Sequence, residues 1–218
     1  MGKEILNKRQ VSFLEAFKNS ELSRNFYLTG GTALAAFYLG HRNSEDLDFF
    51  SETEVEPLAV QTFLKSNKKG LGFLKLELQK SFNRNLFFLH FPREVLKTEF
   101  TYFPFERLGK GPKSGHLQVD SLRDIAVNKV FTITQQARAR DFVDLYFIIK
   151  KTEWGLGALA KDVRIKFDTQ IDPIQLGSEL LKVRELKDFP RMRVPLAKKQ
   201  LISFFMKEAS ALKNNILQ

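Results

Sequence analysis

Cysteine is absent from this 218-residue chain, and histidine occurs only three times. Without cysteine the protein has no disulfide bonds and no thiolate chemistry, and zinc sites that use cysteine are excluded. The histidines, His41, His90 and His116, lack the spacing of a zinc-binding motif, so a histidine-built zinc site is not expected either. The sequence therefore points away from thiol enzymes and from the common zinc proteins.

Long apolar runs are missing as well. No stretch approaches the roughly 20 residues that a membrane-spanning helix needs. The segment Met1 to Gln10 is charged and lacks the apolar region of a signal peptide. We therefore expect a cytoplasmic protein with no membrane partner. Hydrophobic residues still make up 43% of the chain, with 22 phenylalanines among them, which is enough for a substantial core.

Acidic residues are fewer than basic ones. The chain has 35 Lys and Arg against 25 Asp and Glu, which gives a formal net charge of +10 at pH 7. Such an excess favours a polyanionic partner, most simply nucleic acid or nucleotide. The alternative is that the charge only keeps the protein soluble.

Hydrophobic periodicity and turn residues predict an α+β fold. In residues 1–120 we predict a mixed β-sheet with flanking helices, with strands over 26–29, 46–50, 73–79, 86–91, 96–102 and 117–119 and helices over 8–19, 33–39 and 56–68. Residues 109–115, GKGPKSG, predict a flexible basic loop. Residues 121–218 predict a helical bundle, with helices over 121–136, 140–152, 156–167, 173–186 and 195–216.

Gly30, Gly31 and Thr32 stand at a predicted strand–turn–helix junction. Glycine lets a phosphate approach the backbone where a Cβ atom would obstruct it. The helix that follows presents free N–H groups and the positive end of its dipole to an anion, and Thr32 is expected to cap that helix. A tight turn with no ligand would have the same residues, so the motif alone does not establish a phosphate site.

Asp46 and Asp48 alternate with apolar residues on the next predicted strand. On a strand these carboxylates share one face, with their Cα atoms about 6.6 Å apart. They repel each other unless a cation lies between them, and their oxygens suit Mg²⁺. Asp46 follows Thr32 by 14 residues, enough for one helix and a returning strand that brings both motifs to one end of the sheet. A solvated strand edge is the alternative, but it does not explain acids beside a glycine turn.

The loop before Asp46 carries two further candidates for nucleotide binding. Arg42 can neutralise a phosphate by bidentate contact. Ser44 can donate a hydrogen bond to a phosphate or cap the loop.

Residues 28–50, LTGGTALAAFYLGHRNSEDLDFF, resemble the first motif of the AbiEii/AbiGii-type nucleotidyltransferase toxins, a branch of the polymerase-β-like nucleotidyltransferases. Residues 121–148 resemble the family's helical motifs, with SLRDIAVNKVFTI followed by Arg138 and RDFVDLYFI. The resemblance covers roughly residues 1–150. It implies a nucleotidyltransferase-type sheet followed by a helical domain that completes the active site.

The resemblance also implies roles for individual residues. Asp46 and Asp48 would bind Mg²⁺ or Mn²⁺, and Gly31 and Thr32 would bind the triphosphate, with threonine standing where the wider superfamily often has serine. In the helical part it implies a phosphate contact from Lys129 and a further acid from Asp141 or Asp144. Each of these three residues has a purely structural alternative. Lys129 could extend to solvent, Asp141 could stabilise a helix N-terminus, and Asp144 could pair with Arg140.

Polymerase-β-like enzymes usually have a third carboxylate on a neighbouring strand. Glu99 is our candidate for this third metal ligand, beside Lys97 as a possible phosphate ligand. An exposed Lys–Glu strand face is the alternative. Asp120 competes with Glu99, although it stands where a helix cap is expected.

Together these features predict a metal-dependent nucleotidyltransferase that moves a nucleoside monophosphate from an NTP to an acceptor hydroxyl. The family implies an RNA end, with the tRNA acceptor stem as the first choice, and a toxin of a toxin–antitoxin or phage-defence system with a possible antitoxin protein. Two alternatives stay open at this point. One is modification of a small molecule or protein, and the other is a non-catalytic nucleic-acid-binding protein on the same fold.

Overall fold

The computed structural model describes residues 5–214. The chain divides into two compact units, Met1–Ser121 and Leu122–Gln218. The first unit is α+β and the second is helical, as the sequence predicts. No helix within residues 5–214 is long and apolar enough to cross a membrane.

A mixed β-sheet forms the centre of the first unit. Its strands within the described part of the chain are β1 (Tyr27–Thr29), β2 (Leu47–Ser51), β3 (Lys75–Ser81), β4 (Arg84–His90), β5 (Val95–Tyr102), β6 (Lys113–Ser114) and β7 (Leu117–Val119). They are arranged in the order β3-β4-β5-β2-β1-β7-β6. Strands β2 and β5 run parallel, as do β1 and β7, while the other neighbours are antiparallel.

Helices cover one face of this sheet. The first unit contains α1 (Lys8–Lys18), α2 (Gly30–Leu34), which continues as a π-helix over Ala35–Leu39, α3 (Pro57–Ser66) and α4 (Lys68–Leu71). Phe17 of α1 packs on Phe49 of β2 with ring centroids 4.8 Å apart, and Phe49 stacks on Phe100 of β5 at 4.9 Å. Burial alternates along β4, because Phe87 and Leu89 face this core whereas Leu86 and Phe88 do not.

The second unit consists of helices. They are α5 (Leu122–Gln135), α6 (Ala139–Thr152), α7 (Leu156–Phe167), α8 (Pro173–Leu181), extended by a 3-10 turn over Lys182–Arg184, and α9 (Lys198–Asn214). Phe142 of α6 packs on Phe205 of α9 with ring centroids 4.9 Å apart. A fully buried ion pair joins α7 to α5, with Lys166 Nζ 2.6 Å from Asp124 Oδ1.

Three local predictions differ from the structure. Thr32 does not cap a helix, because α2 begins at Gly30 and Thr29 occupies the N-cap position. Asp46 immediately precedes β2 rather than lying within it. The segment 109–115 is not simply a loop, because it contains β6, and a Cβ atom at Gly115 would lie 2.6 Å from the carbonyl oxygen of Lys18. Glycine at position 115 therefore allows the backbone to pack closely against Lys18.

Two predicted helices also end early. The helix predicted over 173–186 gives way to the 3-10 turn at Lys182, and the helix predicted over 56–68 ends at Ser66. The helix predicted over 195–216 begins at Lys198, and its last two residues lie outside the described part of the chain.

Candidate active site

The two glycines of the turn lie directly against residues that the sequence predicts for metal and nucleotide binding. Gly30 has φ of 71°, a left-handed conformation, and a Cβ atom there would collide with the carboxylate of Asp48, whose Cγ would be 3.2 Å away. A Cβ atom at Gly31 would collide with the guanidinium of Arg42 and lie 3.1 Å from Ser44 Oγ. The absence of side chains at both positions therefore lets the start of α2 approach Asp48, Arg42 and Ser44 closely.

Thr32 serves to position Asp46. Its side chain is fully buried, and its Oγ1 donates a 2.5 Å hydrogen bond to the backbone carbonyl of Asp46. The hydroxyl is therefore committed within the protein and does not present itself to a ligand. Any contribution of Thr32 to a phosphate site would come from its backbone N–H, because the N–H groups of a first helical turn lack carbonyl partners within the helix.

Asp46 and Asp48 lie on the same side of the sheet. Asp48 is paired in register with Glu99 of the parallel strand β5 and with Thr29 of β1. Lys97 is two residues from Glu99, so it shares that face of β5. Its Nζ forms an ion pair of 2.8 Å with Asp46 Oδ2, which places the carboxylate of Asp46 on the same side.

The loop between α2 and β2 is anchored by the first helix. Gln10 of α1 is buried, and its Nε2 donates to the carbonyl oxygens of Ser44 at 2.8 Å and Glu45 at 3.1 Å. The guanidinium of Arg42 is buried too, and its Nη1 donates to the carbonyl of Asn43 at 2.9 Å. Gln10 could not be recognised from the sequence, because a single glutamine in an amphipathic helix has no distinguishing pattern.

Glu99 is committed to protein partners. It is 5% exposed, and it accepts hydrogen bonds of 2.6 Å from both Nε and Nη2 of Arg84 and of 2.9 Å from Thr101 Oγ1. Burial raises the pKa of the Glu99 carboxyl, but the hydrogen bonds and charge of Arg84 outweigh burial, so the net pKa is lowered. The carboxylate is therefore charged and already neutralised by Arg84. This geometry does not support a third metal ligand at Glu99.

Asp120, the competing candidate, is fully buried at the end of β7. Its Oδ2 accepts a 2.7 Å hydrogen bond from Thr29 Oγ1, and its backbone carbonyl accepts one of 2.7 Å from the Tyr38 hydroxyl. Asp120 therefore fixes the residue that precedes the glycine turn.

Asp46 and Asp48 are the carboxylates that could hold a metal ion. Within residues 5–214 no group of three or more histidine and carboxylate side chains is placed to hold a metal ion. Mg²⁺ commonly takes only one or two protein carboxylates and completes its octahedral shell with water and substrate phosphates. Two carboxylates on one side of a sheet, beside a turn that could receive phosphate, fit that donor set.

The predicted residues of the second unit form their own charged cluster. Lys129 of α5 is only 8% exposed, and its Nζ lies 2.6 Å from Asp141 Oδ1 and 2.7 Å from Asp144 Oδ2 of α6. Arg138 Nε donates to Asp141 Oδ2 at 2.7 Å. Lys129 therefore does not extend to solvent, and Asp144 pairs with Lys129.

A family model described as the nucleotidyl transferase AbiEii toxin of type IV toxin–antitoxin systems matches residues 12–212. The chain belongs to this family. The predicted resemblance is confirmed, and the match continues beyond residue 150 through most of the helical unit. An uncharacterized protein from Aquifex aeolicus (strain VF5) is 31% identical over 173 residues, covering 74% of this chain and 76% of the relative.

Solved structures share the nucleotidyltransferase fold. A protein from H. pylori assigned as a nucleotidyltransferase superposes with a TM-score of 0.63 at 18% identity, covering 100% of this chain and 99% of the other. The nucleotidyltransferase toxin MenT4 from Mycobacterium tuberculosis H37Rv superposes with a TM-score of 0.56 at 18% identity, covering 94% and 83% of the two chains. The predicted fold class is confirmed.

Proposed function

We propose that this AbiEii-family protein transfers a nucleoside monophosphate from an NTP to a hydroxyl at an RNA end, with tRNA as the first acceptor to test. The observation that carries the proposal is the close approach of the Gly30-Gly31 turn to Asp48, with Asp46 on the same side of the sheet. This approach places a backbone able to receive phosphate beside carboxylates able to hold a cation.

In this proposal each residue has a defined task. Asp46 and Asp48 hold Mg²⁺ or Mn²⁺, which when bound neutralises charge on the triphosphate and favours attack by the acceptor hydroxyl. The backbone of Gly30 and Gly31 receives the phosphates at the start of α2. Lys97 and Thr32 keep Asp46 in place through its carboxylate and its carbonyl, respectively. Transfer forms a bond from the acceptor oxygen to the α-phosphorus and releases pyrophosphate.

Arg42 and Ser44 line the other side of the glycine turn. Their side chains lie against Gly31, so they can hold the turn in shape or add charge and hydrogen bonds to a phosphate seated on it. We also propose that Lys129 contacts a nucleotide phosphate, as the family resemblance implies, with Asp141 and Asp144 orienting its ammonium.

An RNA acceptor is supported by charge. The net charge is +10, and exposed basic residues cluster in the segment between α8 and α9 and at the start of α9, namely Arg184, Lys187, Arg191, Arg193, Lys198 and Lys199. A polyanion gains affinity from such residues, while a small cationic acceptor does not. As a member of a family of type IV toxins, the protein is proposed to act with an antitoxin.

A transfer assay tests the proposal. The protein is incubated with each labelled NTP, total cellular RNA and Mg²⁺ or Mn²⁺, and the products are separated on a denaturing gel, with Asp48→Asn as the inactive control. Label in an RNA band, absent with the variant and with EDTA, is the expected result. Label in protein or in a small molecule would overturn the RNA acceptor. Absence of label under every condition would overturn the transferase activity.

A further inference from the structure

The sheet has a partly exposed face beside the carboxylates. Along β4, Arg84, Leu86 and Phe88 alternate with buried residues, so they point away from the helices that cover the core. Register places Leu86 next to Glu99 and Phe88 next to Lys97 on β5. This sheet platform, made of Arg84, Leu86, Phe88 and Lys97, therefore adjoins Asp46 and Asp48. Two strand spacings separate β4 from β2, about 10 Å.

Arg84 is held in a fixed position on the platform. Both oxygens of buried Glu99 accept from its guanidinium in a bidentate pair, while 48% of the arginine side chain stays exposed. Glu99 is in turn fixed by Thr101. Glu99 and Asp48 both raise the pKa of Arg84, so the guanidinium is permanently charged. An arginine whose geometry is set in advance loses little entropy when it binds a further anion.

Charged residues border the apolar part of the platform. Phe88 and Leu86 are half-buried, with Arg84 at one end of the row on β4, while Lys97 on β5 and Glu77 on β3 lie on either side of Phe88. Single-stranded nucleic acid carries alternating phosphates and flat apolar bases, and proteins bind it by combining basic groups with aromatic rings. The exposed part of Arg84 and the ring of Phe88 match that pattern, and both cations keep their acidic partners within the protein, Arg84 with Glu99 and Lys97 with Asp46.

We propose that the sheet platform binds the unpaired end of the RNA acceptor, with a base on Phe88 and Leu86 and its phosphate at Arg84. This inference rests on the proposed function and deepens it, because it assigns the acceptor subsite. Glu99 is a positioning residue in this arrangement, acting through Arg84. The reacting hydroxyl would then lie towards β2, on the side of the platform where Lys97 contacts Asp46.

Binding measured without nucleotide or metal tests the platform apart from catalysis. A fluorescent single-stranded RNA of about 12 nucleotides is titrated with the whole protein in EDTA, and anisotropy is recorded at several salt concentrations. Phe88→Leu keeps an apolar side chain and removes the ring, so we expect affinity to fall about tenfold. Arg84→Gln should lower affinity by a similar factor and reduce the log–log salt slope by about 0.7. Glu99→Gln should give a smaller loss, about threefold.

Matched controls exist on the same hairpin. Lys80 is exposed and registers with buried Asn85, so it belongs to the opposite face, and Phe82 is fully exposed at the tip. Lys80→Gln and Phe82→Leu should change affinity by no more than about twofold. Thermal melting verifies that each variant is folded, and Phe88→Tyr, which keeps a ring, should restore binding if Phe88→Leu loses it.

Specific outcomes overturn the inference. The first is an RNA affinity of Phe88→Leu and Arg84→Gln that equals the affinity of the wild type or of the control variants. A second is no RNA binding by the wild type even at low salt. A third is weaker NTP binding in Phe88→Leu with unchanged RNA binding, which would assign the platform to the nucleotide. RNA binding that depends on the platform, together with no transfer of label, would refute the proposed activity and leave the platform standing.

Discussion

Replacing Gly30 by alanine tests whether the close approach of the turn to Asp48 is required. Two consequences follow from the structure. The residue at φ of 71° is in a left-handed conformation, which disfavours any residue with a Cβ atom. The new Cβ would also collide with the Asp48 carboxylate, with Cγ and Cβ of Asp48 at 3.2 and 3.3 Å.

The two consequences differ in magnitude and in what they affect. Left-handed backbone costs an alanine roughly 1–2 kcal/mol. For a chain of this size that loss lowers the melting temperature by about 2–8 °C. The colliding atom is the end of a rotatable side chain, so Asp48 can turn away at small further cost in stability. A displacement of about 1 Å at a reacting centre can reduce the rate about 100-fold. We therefore expect a modest loss of stability and a large loss of transfer.

Gly40 provides the matched control. Its φ is 64°, so alanine there carries the same backbone cost, but the nearest atom to a new Cβ is Ile5 Cδ1 at 3.9 Å. Gly40→Ala should therefore lose the same few degrees of melting temperature and keep transfer within about threefold of the wild type. Differential scanning fluorimetry and the labelled-NTP assay measure both quantities on both variants. If Gly30→Ala and Gly40→Ala retain equal activity, the contact between the turn and Asp48 has no part in catalysis.

Further predictions concern charge. Asp48→Asn should lower transfer by at least about 100-fold while the protein stays folded in a thermal melting experiment. The pKa of Glu99 is lowered in the fold, so its stabilisation is present above its unfolded pKa of about 4.3 and is lost as pH falls. The difference in unfolding free energy between the wild type and Glu99→Gln, measured with urea, should therefore become smaller below about pH 5. Lys129→Ala should cost about 3–5 kcal/mol in the same assay, since it removes the buried ammonium that pairs with both Asp141 and Asp144. Reversing the charges of Lys198 and Lys199 should flatten the salt dependence of tRNA binding.

Each of these predictions has a contrary result. Activity of Asp48→Asn within about tenfold of the wild type would refute the two-carboxylate site. If the difference in unfolding free energy between the wild type and Glu99→Gln stays constant between about pH 3 and 7, pairing with Arg84 does not lower the pKa of Glu99. A Lys129→Ala protein as stable as the wild type would show that the buried cluster is not a structural support. Unchanged salt dependence after charge reversal would remove Lys198 and Lys199 from the RNA contact.

The motifs around the glycine turn could be predicted from sequence because they depend on local spacing. One helix and one loop separate Thr32 from Asp46, and these short connections leave little freedom in where the second strand returns. The alternation of Asp48 with apolar neighbours likewise follows from the period of a strand. The exact start of α2 was not predictable, because Thr29 and Thr32, three positions apart, are both suitable N-cap residues.

The partners of the charged residues could not be predicted. Strand alternation and pairing are enough to predict that Glu99 lies beside Asp48. The side chain that Glu99 pairs with is Arg84, which lies 15 residues earlier on the preceding strand of the hairpin. Gln10 reaches Ser44 across 34 residues. Such contacts depend on the packed fold and leave no periodic signal in the sequence. The glycines in 109–115 predict flexibility by composition alone, whereas in the fold Gly115 allows close packing on a backbone carbonyl.

The arrangement of charges explains how two aspartates can share one side of the sheet. Asp46 is paired with Lys97 at 2.8 Å, and Asp48 lies close enough to Arg84 to raise the pKa of its guanidinium. Each acid of the pair is thus balanced by a base from β4 or β5, so the repulsion between the carboxylates is offset within the fold. Arg84 takes part in a second pair with Glu99, which fixes it without removing its exposed surface. The same two bases that balance the carboxylates therefore also form the charged edges of the sheet platform. A substitution at Arg84 should consequently affect RNA affinity in EDTA as well as the properties of Asp48, whereas a substitution at Phe88 should affect RNA affinity alone.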